Sequence, residues 1–172
     1  MSTTVTLLAA ISADGFISRG RGVPWKLPID KAHFRAYAAG KWCLLGRITY
    51  EEMIGWFRDH HPLVISRDPS YHPPIGQKVN SAEEAIALAN AAGAPELVVL
   101  GGSSVFDATI PLAHRLEITH VHDILGGGIP FPRIAPEDWS PVSRKSYGID
   151  EQHAYSFEIV TYQRVARLAE AA

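Results

Sequence analysis

The chain has a single cysteine, Cys43, among 172 residues, which excludes an intrachain disulfide and fits a reducing compartment. No apolar run approaches the ~18 residues that a membrane-crossing helix needs. No internal repeat, low-complexity tract or linker interrupts the sequence. An excess of one charge is also missing. The 16 Lys and Arg residues stand against 18 Asp and Glu, a formal net charge of −2, so general affinity for nucleic acid or anionic membrane is not expected. Met1–Ala10 has no basic stretch before its apolar residues and no evident cleavage site; it reads as a first strand and not as a signal peptide. No Ser-His-Asp or Cys-His set is found. His120 and His122 share a strand face but lack a third ligand, so no metal is expected. Cys43, in an apolar strand, reads as an inert core thiol. These absences leave a cytoplasmic protein of one domain over 1–172, with about 165–172 as a tail, and a monomer is the expectation.

What is present is an alternation of strands and helices. Thr3–Ser12 is a nearly continuous apolar run with β-branched residues, as in a strand covered on both faces. Ala13–Val23 holds three glycines and two arginines and reads as a mobile surface loop. Leu27 to Ala39 can form a helix with Pro28 in its first turn and Gly40 beyond its end. Trp42–Leu45, Leu63–Ile65, Leu97–Leu100 and Leu116–His122 are further strands. Between them, helices are expected at Thr49–Trp56 and at Ser81–Ala92, the latter capped by Ser81 with Glu84 three residues on, and a helix or turn at Val105–Leu112. After the Gly- and Pro-rich Gly126–Pro136, Val142–Tyr147 and Tyr155–Arg164 read as an antiparallel pair. The order implies βαβ crossovers and a mainly parallel sheet closed by an antiparallel edge. Ligands of such sheets bind at the carboxyl ends of the strands, which directs attention to Ala9–Ser12, Gly46–Thr49, Ser66–Arg67, Gly101–Ser104 and Thr119–His120.

Three groups of residues carry chemistry, two of them at those ends. Asp30 lies near the start of a helix, on the side of Phe34. It either caps or complements the helix dipole, worth ~0.5–1 kcal/mol, or is a carboxylate on an apolar face that needs a partner. A ligand with two adjacent N–H donors would satisfy it through a bidentate, charge-assisted contact. Gly101-Gly102-Ser103-Ser104-Val105 joins a buried strand to a helix. It is a tight turn or a phosphate cradle of bare backbone N–H groups, but not the Gly-x-Gly-x-x-Gly fingerprint of the standard dinucleotide fold. Arg47 and Arg67 each follow an apolar strand. They are solvated surface or a pair suited to a phosphate monoester.

Taken together, Val23–Asp30 with Phe34, Gly46-Arg47-x-Thr49-x-Glu51, Ile65-Ser66-Arg67, Gly101-Gly102-x-x-Val105-Phe106, Ile118-Thr119-His120 and Tyr155–Ile159 resemble dihydrofolate reductase, in order and spacing, from Thr3 to about Arg164. The resemblance implies an α/β fold with a mainly parallel eight-stranded sheet, an antiparallel C-terminal strand pair and about four helices. It also implies hydride transfer from NADPH to dihydrofolate. Asp30, Trp25 and Thr119 match the catalytic acid, a tryptophan of the covering loop and a threonine bonded to the acid. Leu8, Ala10, Asp30, Lys31, Phe34, Met53, Leu100, Phe106 and Thr119 fall at substrate-pocket positions. Ala10, Ile17, Gly46, Arg47, Ile48, Thr49, Ser66, Arg67, Gly101, Gly102, Ser103, Ser104, Val105 and Phe106 fall at cofactor positions, with Arg47 and Arg67 as the clamp on the 2′-phosphate and Gly101–Gly102 as a cis peptide.

The sequence departs from that pattern where the family grips the folate glutamate. His60 stands in place of the usual arginine, with Arg58 and His61 beside it, and His60-His61 reads as an exposed loop pair. Lys31 replaces an apolar residue next to the acid, as a tail contact or a side chain reaching solvent. Gly126–Pro130 lacks an Asp-Thr-like pair. The alternatives are a same-fold reductase of another pterin or of a riboflavin-pathway pyrimidine, or a non-catalytic binder of NADPH or pterin.

Overall fold

A computed structural model describes residues 2–166. In chain order its elements are β1 (Thr4–Ser12), β2 (Phe16–Ser18), α1 (Pro28–Ala38), β3 (Trp42–Gly46), α2 (Arg47–Glu52), β4 (His61–Ile65), β5 (Gln77–Val79), α3 (Ala82–Ala91), β6 (Glu96–Gly101), α4 (Ser103–Thr109), β7 (Arg115–Val121), β8 (Ile129–Pro130), β9 (Trp139–Tyr147) and β10 (Phe157–Arg164). Eight strands make one sheet in the order β5-β4-β3-β6-β1-β7-β10-β9. The pairs from β5 through β7 are parallel, and β10 runs antiparallel to both β7 and β9. This is the sheet that the sequence leads one to expect.

Period-two alternation in β1 explains how one strand serves two layers. Val5, Leu7 and Ile11 join the cluster that packs under α3 and α4, together with Leu44, Leu97, Val99, Leu116 and Ile118. Leu8 faces the other way, with Cys43, Leu45, Val98 and Leu100, toward Phe34, Tyr37 and Ala38 of α1. Burial pushes the Cys43 thiol up to about 12, so it is a protonated core group. Trp25 and Leu27 close a third cluster with Val121, Phe157 and Ile159.

Several local expectations are corrected. Ala13–Val23 is not loop throughout: β2 lies within it and pairs antiparallel with β8. That close pairing requires Gly128, where an added Cβ would stand 2.1 Å from the Ser18 carbonyl oxygen. The helix expected at Thr49–Trp56 starts at Arg47 and ends at Glu52; Met53 and Trp56 continue as turns closed by Met53 N–H to Tyr50 and Trp56 N–H to Met53. Ser81 caps α3 as expected, its hydroxyl accepting from Glu84 N–H at 3.1 Å. The Glu84 carboxylate reaches one residue further back than a capping box would place it, to Asn80 N–H at 2.7 Å. The tail expected at about 165–172 lies mostly outside the described residues.

Candidate active site

Helix α1 starts without a side-chain cap: Leu27 occupies the N-cap and Pro28 the first turn. The orphan N–H of Ile29 donates instead to Nε2 of His153 at 3.1 Å. His153 is 1% exposed, and its Nδ1 lies 2.8 Å from Asp150 Oδ1, so accepting at Nε2 leaves the proton on the nitrogen facing that carboxylate. This anchor from a distant loop relieves Asp30 of any capping duty. The Asp30 carboxylate points to β7, where Thr119 Oγ1 donates to Oδ1 at 2.5 Å. Burial raises the Asp30 pKa, opposed by the Thr119 hydrogen bond and by the charge of His33. A half-buried acid with one oxygen held and the other open is equipped to bind paired N–H donors.

The surrounding walls are apolar. Leu8 and Leu100 are buried, and Phe34 and Met53 pack against the same cluster. Ala10, in register with Thr119, contacts the Trp25 cluster. Trp25 is only 8% exposed, and its indole N–H donates to Asp123 Oδ2 at 3.0 Å. Lys31 extends to solvent. Phe106 stands apart from these residues: it packs on the opposite layer, against Phe131 at a 4.9 Å ring separation.

The expected cofactor residues converge at the carboxyl ends of adjacent strands. Gly46 pairs with Ile65, and Leu45 with Gly101, which brings Arg47, Ser66 and Gly102 to one edge. The Gly101–Gly102 peptide is cis. Neither Gly46 nor Gly102 provides a side-chain cap to the helix that it starts, so first-turn N–H groups are left for a ligand. A Cβ at Gly102 would come within 3.0 Å of Thr49 Oγ1, and one at Gly46 within 3.3 Å of Val105 Cγ2. The bare backbone of this cradle therefore suits a close-fitting phosphate-bearing group. Arg47, Ile48, Arg67 and Ser104 are exposed, Ser103 is half-buried, and Ile17 lies half-buried on β2. Arg47 Nε sits 3.6 Å from Glu51 Oε1, and Ser66 Oγ accepts from Asp68 N–H at 3.2 Å.

Some residues around the site were not found from sequence. Asp14 binds the chain that follows β7, its carboxylate accepting from Leu125 N–H at 3.1 Å and Gly126 N–H at 2.7 Å. Glu117 is 7% exposed and lies two residues before Thr119. Nothing local in sequence marks either residue, or His153, since each acts on a segment far along the chain. His60 is corrected from an exposed loop residue to a packed one. Its ring stacks on Trp56 at 4.6 Å, Nδ1 accepts from Arg58 N–H at 3.0 Å, and its side chain is 6% exposed. Burial lowers its pKa, with Asp59 opposing. His61 is exposed but lies in β4, stacked on Trp42 at 5.1 Å.

Comparison with known proteins agrees with this geometry. The family model for dihydrofolate reductase matches residues 4–164. A dihydrofolate reductase of Neisseria meningitidis serogroup A is 34% identical over 161 residues, covering 93% of this chain and 98% of the relative. The type 3 dihydrofolate reductase of Salmonella typhimurium is 29% identical over 160 residues, with coverage of 93% and 98%. Among solved structures, the dihydrofolate reductase of Enterococcus faecalis complexed with NADP(H) and RAB-propyl superposes with a TM-score of 0.86 at 28% identity, covering 96% of this chain and 100% of that one. Fold, site and relatives agree, and the chain belongs to the dihydrofolate reductase family.

Proposed function

We propose that the protein catalyses the NADPH-dependent reduction of 7,8-dihydrofolate to tetrahydrofolate, as a cytoplasmic monomer with one domain over 1–172. The observation that carries this reading is Asp30: a half-buried carboxylate, one oxygen held by Thr119, on the helix whose Phe34 packs against the apolar cluster of Leu8 and Leu100. When bound, NADPH supplies a hydride to the carbon of the pterin C=N bond, and the adjacent nitrogen takes a proton that derives from water.

The residues of the chain prepare that event. Asp30 binds the amino and ring N–H groups of the pterin and favours its protonated, electron-poor form. Thr119 fixes the carboxylate so that its open oxygen faces the ligand. Leu8, Ala10, Phe34, Met53 and Leu100 hold the ring in place, and proximity is a large share of such rates. Trp25, tied to Asp123, keeps water from the acid. Arg47 and Arg67, with Ser66 and Thr49, hold the 2′-phosphate of the cofactor. The acid and the substrate share one titrating proton, so turnover falls as pH rises through their joint ionisation.

His60 favours a second reading, a pterin whose tail is not glutamate. A neutral, packed imidazole does not replace a bidentate guanidinium. The test for the main reading is loss of NADPH absorbance when purified protein, NADPH and dihydrofolate are mixed. No loss with dihydrofolate, against a measurable loss with a tail-less dihydropterin, selects the second reading. No loss with either overturns both.

A further inference from the structure

Three side-chain contacts join α1 to β7 in successive steps. Asp30, His33 and Tyr37 recur at the spacing of one helix face, and Thr119, Glu117 and Arg115 at the spacing of one strand face. Thr119 holds Asp30 at 2.5 Å, Glu117 Oε2 lies 3.4 Å from His33 Nε2, and Arg115 Nη1 donates to Tyr37 Oη at 3.5 Å. The mechanism above uses only the first step.

The second step needs an explanation. Glu117 is a carboxylate with 9% of its side chain exposed, and a buried charge survives only when it is paired. Its Oε1 accepts from the Thr161 hydroxyl. Its Oε2 has His33, whose Nε2 is itself buried and has no hydrogen bond as the ring stands. A small rotation of that ring would turn the 3.4 Å contact into a charge-assisted hydrogen bond. Glu117 thus presents a carboxylate oxygen to the His33 ring at a position one helical turn from Asp30.

We propose that His33, held by Glu117, is a positioning residue for the reaction: as the imidazolium it sets a positive charge beside Asp30 and so controls when the acid and its bound substrate lose their shared proton. The inference rests on Asp30 being the acid. A neighbouring positive charge favours the deprotonated carboxylate, so a charged His33 opposes the effect of burial on Asp30. The remaining charged groups do not duplicate it. On β7, the Arg115 guanidinium contacts Tyr37 and Glu96 and its charge also acts on Glu117, but it faces Tyr37 two strand steps away from the Thr119 that holds Asp30, and Glu96 also binds Lys41 at 2.9 Å. Beyond the first turn of α1, His153 is engaged with Asp150. Lys31 extends to solvent, and His120, on the opposite face of β7, bonds Tyr162.

The test is the pH profile of single-turnover hydride transfer, with NADPH and dihydrofolate, in the full chain and in His33→Gln, Glu117→Gln, the double variant and Asp30→Asn. Side chains one helical turn apart lie ~5–6 Å apart at Cβ. One charge at that distance in a partly solvated site moves an ionisation by about half to one pH unit. His33→Gln is expected to move the high-pH inflection upward by that amount, with NADPH affinity unchanged. In the Glu117→Gln background the same exchange should move it less than half as far. An inflection that stays at the parent position overturns the proposal. A merely structural role for His33 would change rates without moving the inflection. If His33→Gln does not fold, proton NMR of the parent decides: the His33 ring should report a second inflection that disappears in Asp30→Asn, and its absence overturns the pairing. Undiminished turnover in Asp30→Asn overturns the acid itself, an outcome distinct from both.

Discussion

Thr119 donates its hydroxyl to Asp30 at 2.5 Å across 89 residues of sequence, and this one contact turns a first-turn helix carboxylate into a directed ligand. Asp30→Asn should preserve the fold and NADPH binding but lower turnover at neutral pH by about a hundredfold or more, as expected for loss of an acid–base group. Activity within about threefold of the parent, less than ~0.7 kcal/mol of barrier, would sink the assignment.

The same substitution should stabilise the protein. The Asp30 pKa is raised chiefly by burial, so ionising this group costs more in the folded than in the unfolded chain. That penalty is fully present above the raised folded value and vanishes below the unfolded value of about 3.9. The gain in melting temperature for Asp30→Asn is therefore expected to be larger at pH 7 than at pH 4. Equal gains at both values would mean that the carboxylate is not desolvated.

Arg47 and Arg67 should set a preference for NADPH over NADH. Replacing both by Ala is expected to raise the Michaelis constant for NADPH at least tenfold, since each lost charge-assisted contact costs roughly 1.5–3 kcal/mol. The constant for NADH, which lacks the 2′-phosphate, should change little. Equal losses for the two cofactors would place the arginines in another role, such as the Arg47–Glu51 contact at 3.6 Å.

How much of this was legible depended on distance along the chain. The α3 cap is a local signal, three residues apart, and the structure keeps it. The strands of the parallel core are apolar on both faces and announce themselves. Their carboxyl ends then direct attention to Thr119 and the glycine cradle, while Asp30 stands out as a carboxylate on the apolar side of a helix. β5 and β2 are three residues each and exist through pairing with β4 and β8, so no local period marks them. α2 was misplaced because Met53 and Trp56 are spaced like a helix face, while the chain turns after Glu52. Glu117, His153 and Asp14 read as ordinary polar residues, and their importance arises from partners brought near only by folding.

Asp14 shows how such a contact can be tested. Its carboxylate ties the turn after β1 to the chain after β7 through Leu125 and Gly126 N–H, beside the Asp123 that holds Trp25. The Ser12 hydroxyl bond is the first cause of its lowered pKa, with the two backbone N–H groups adding to it. A lowered carboxylate contributes stability that is fully present above the unfolded value and lost as pH falls through the lower folded value. Asp14→Ala should therefore speed amide exchange at Leu125 and Gly126 at pH 6–7, and the parent should approach the variant only in strong acid. Unchanged exchange would show that the two segments hold together without it.

His60 governs the last prediction. Its imidazole is neutral at pH 7 because burial lowers its pKa, its Nδ1 is taken by Arg58 N–H, and its ring lies on Trp56. A side chain so engaged cannot grip a carboxylate, and dihydrofolate is expected to bind without that contact. His60→Arg should tighten dihydrofolate by roughly ten- to a hundredfold, the value of a charge-assisted bidentate pair at ~1.5–3 kcal/mol. A tail-less dihydropterin should gain nothing. The exchange also removes the Trp56 stack, so some thermal stability should be lost even as affinity rises. Dissociation constants for both ligands in parent and variant decide the matter. If the parent already prefers dihydrofolate strongly and His60→Arg changes nothing, the tail is held from elsewhere. Lys31, solvent-facing beside Asp30 on α1, is then the group to remove, and Lys31→Ala should abolish the preference.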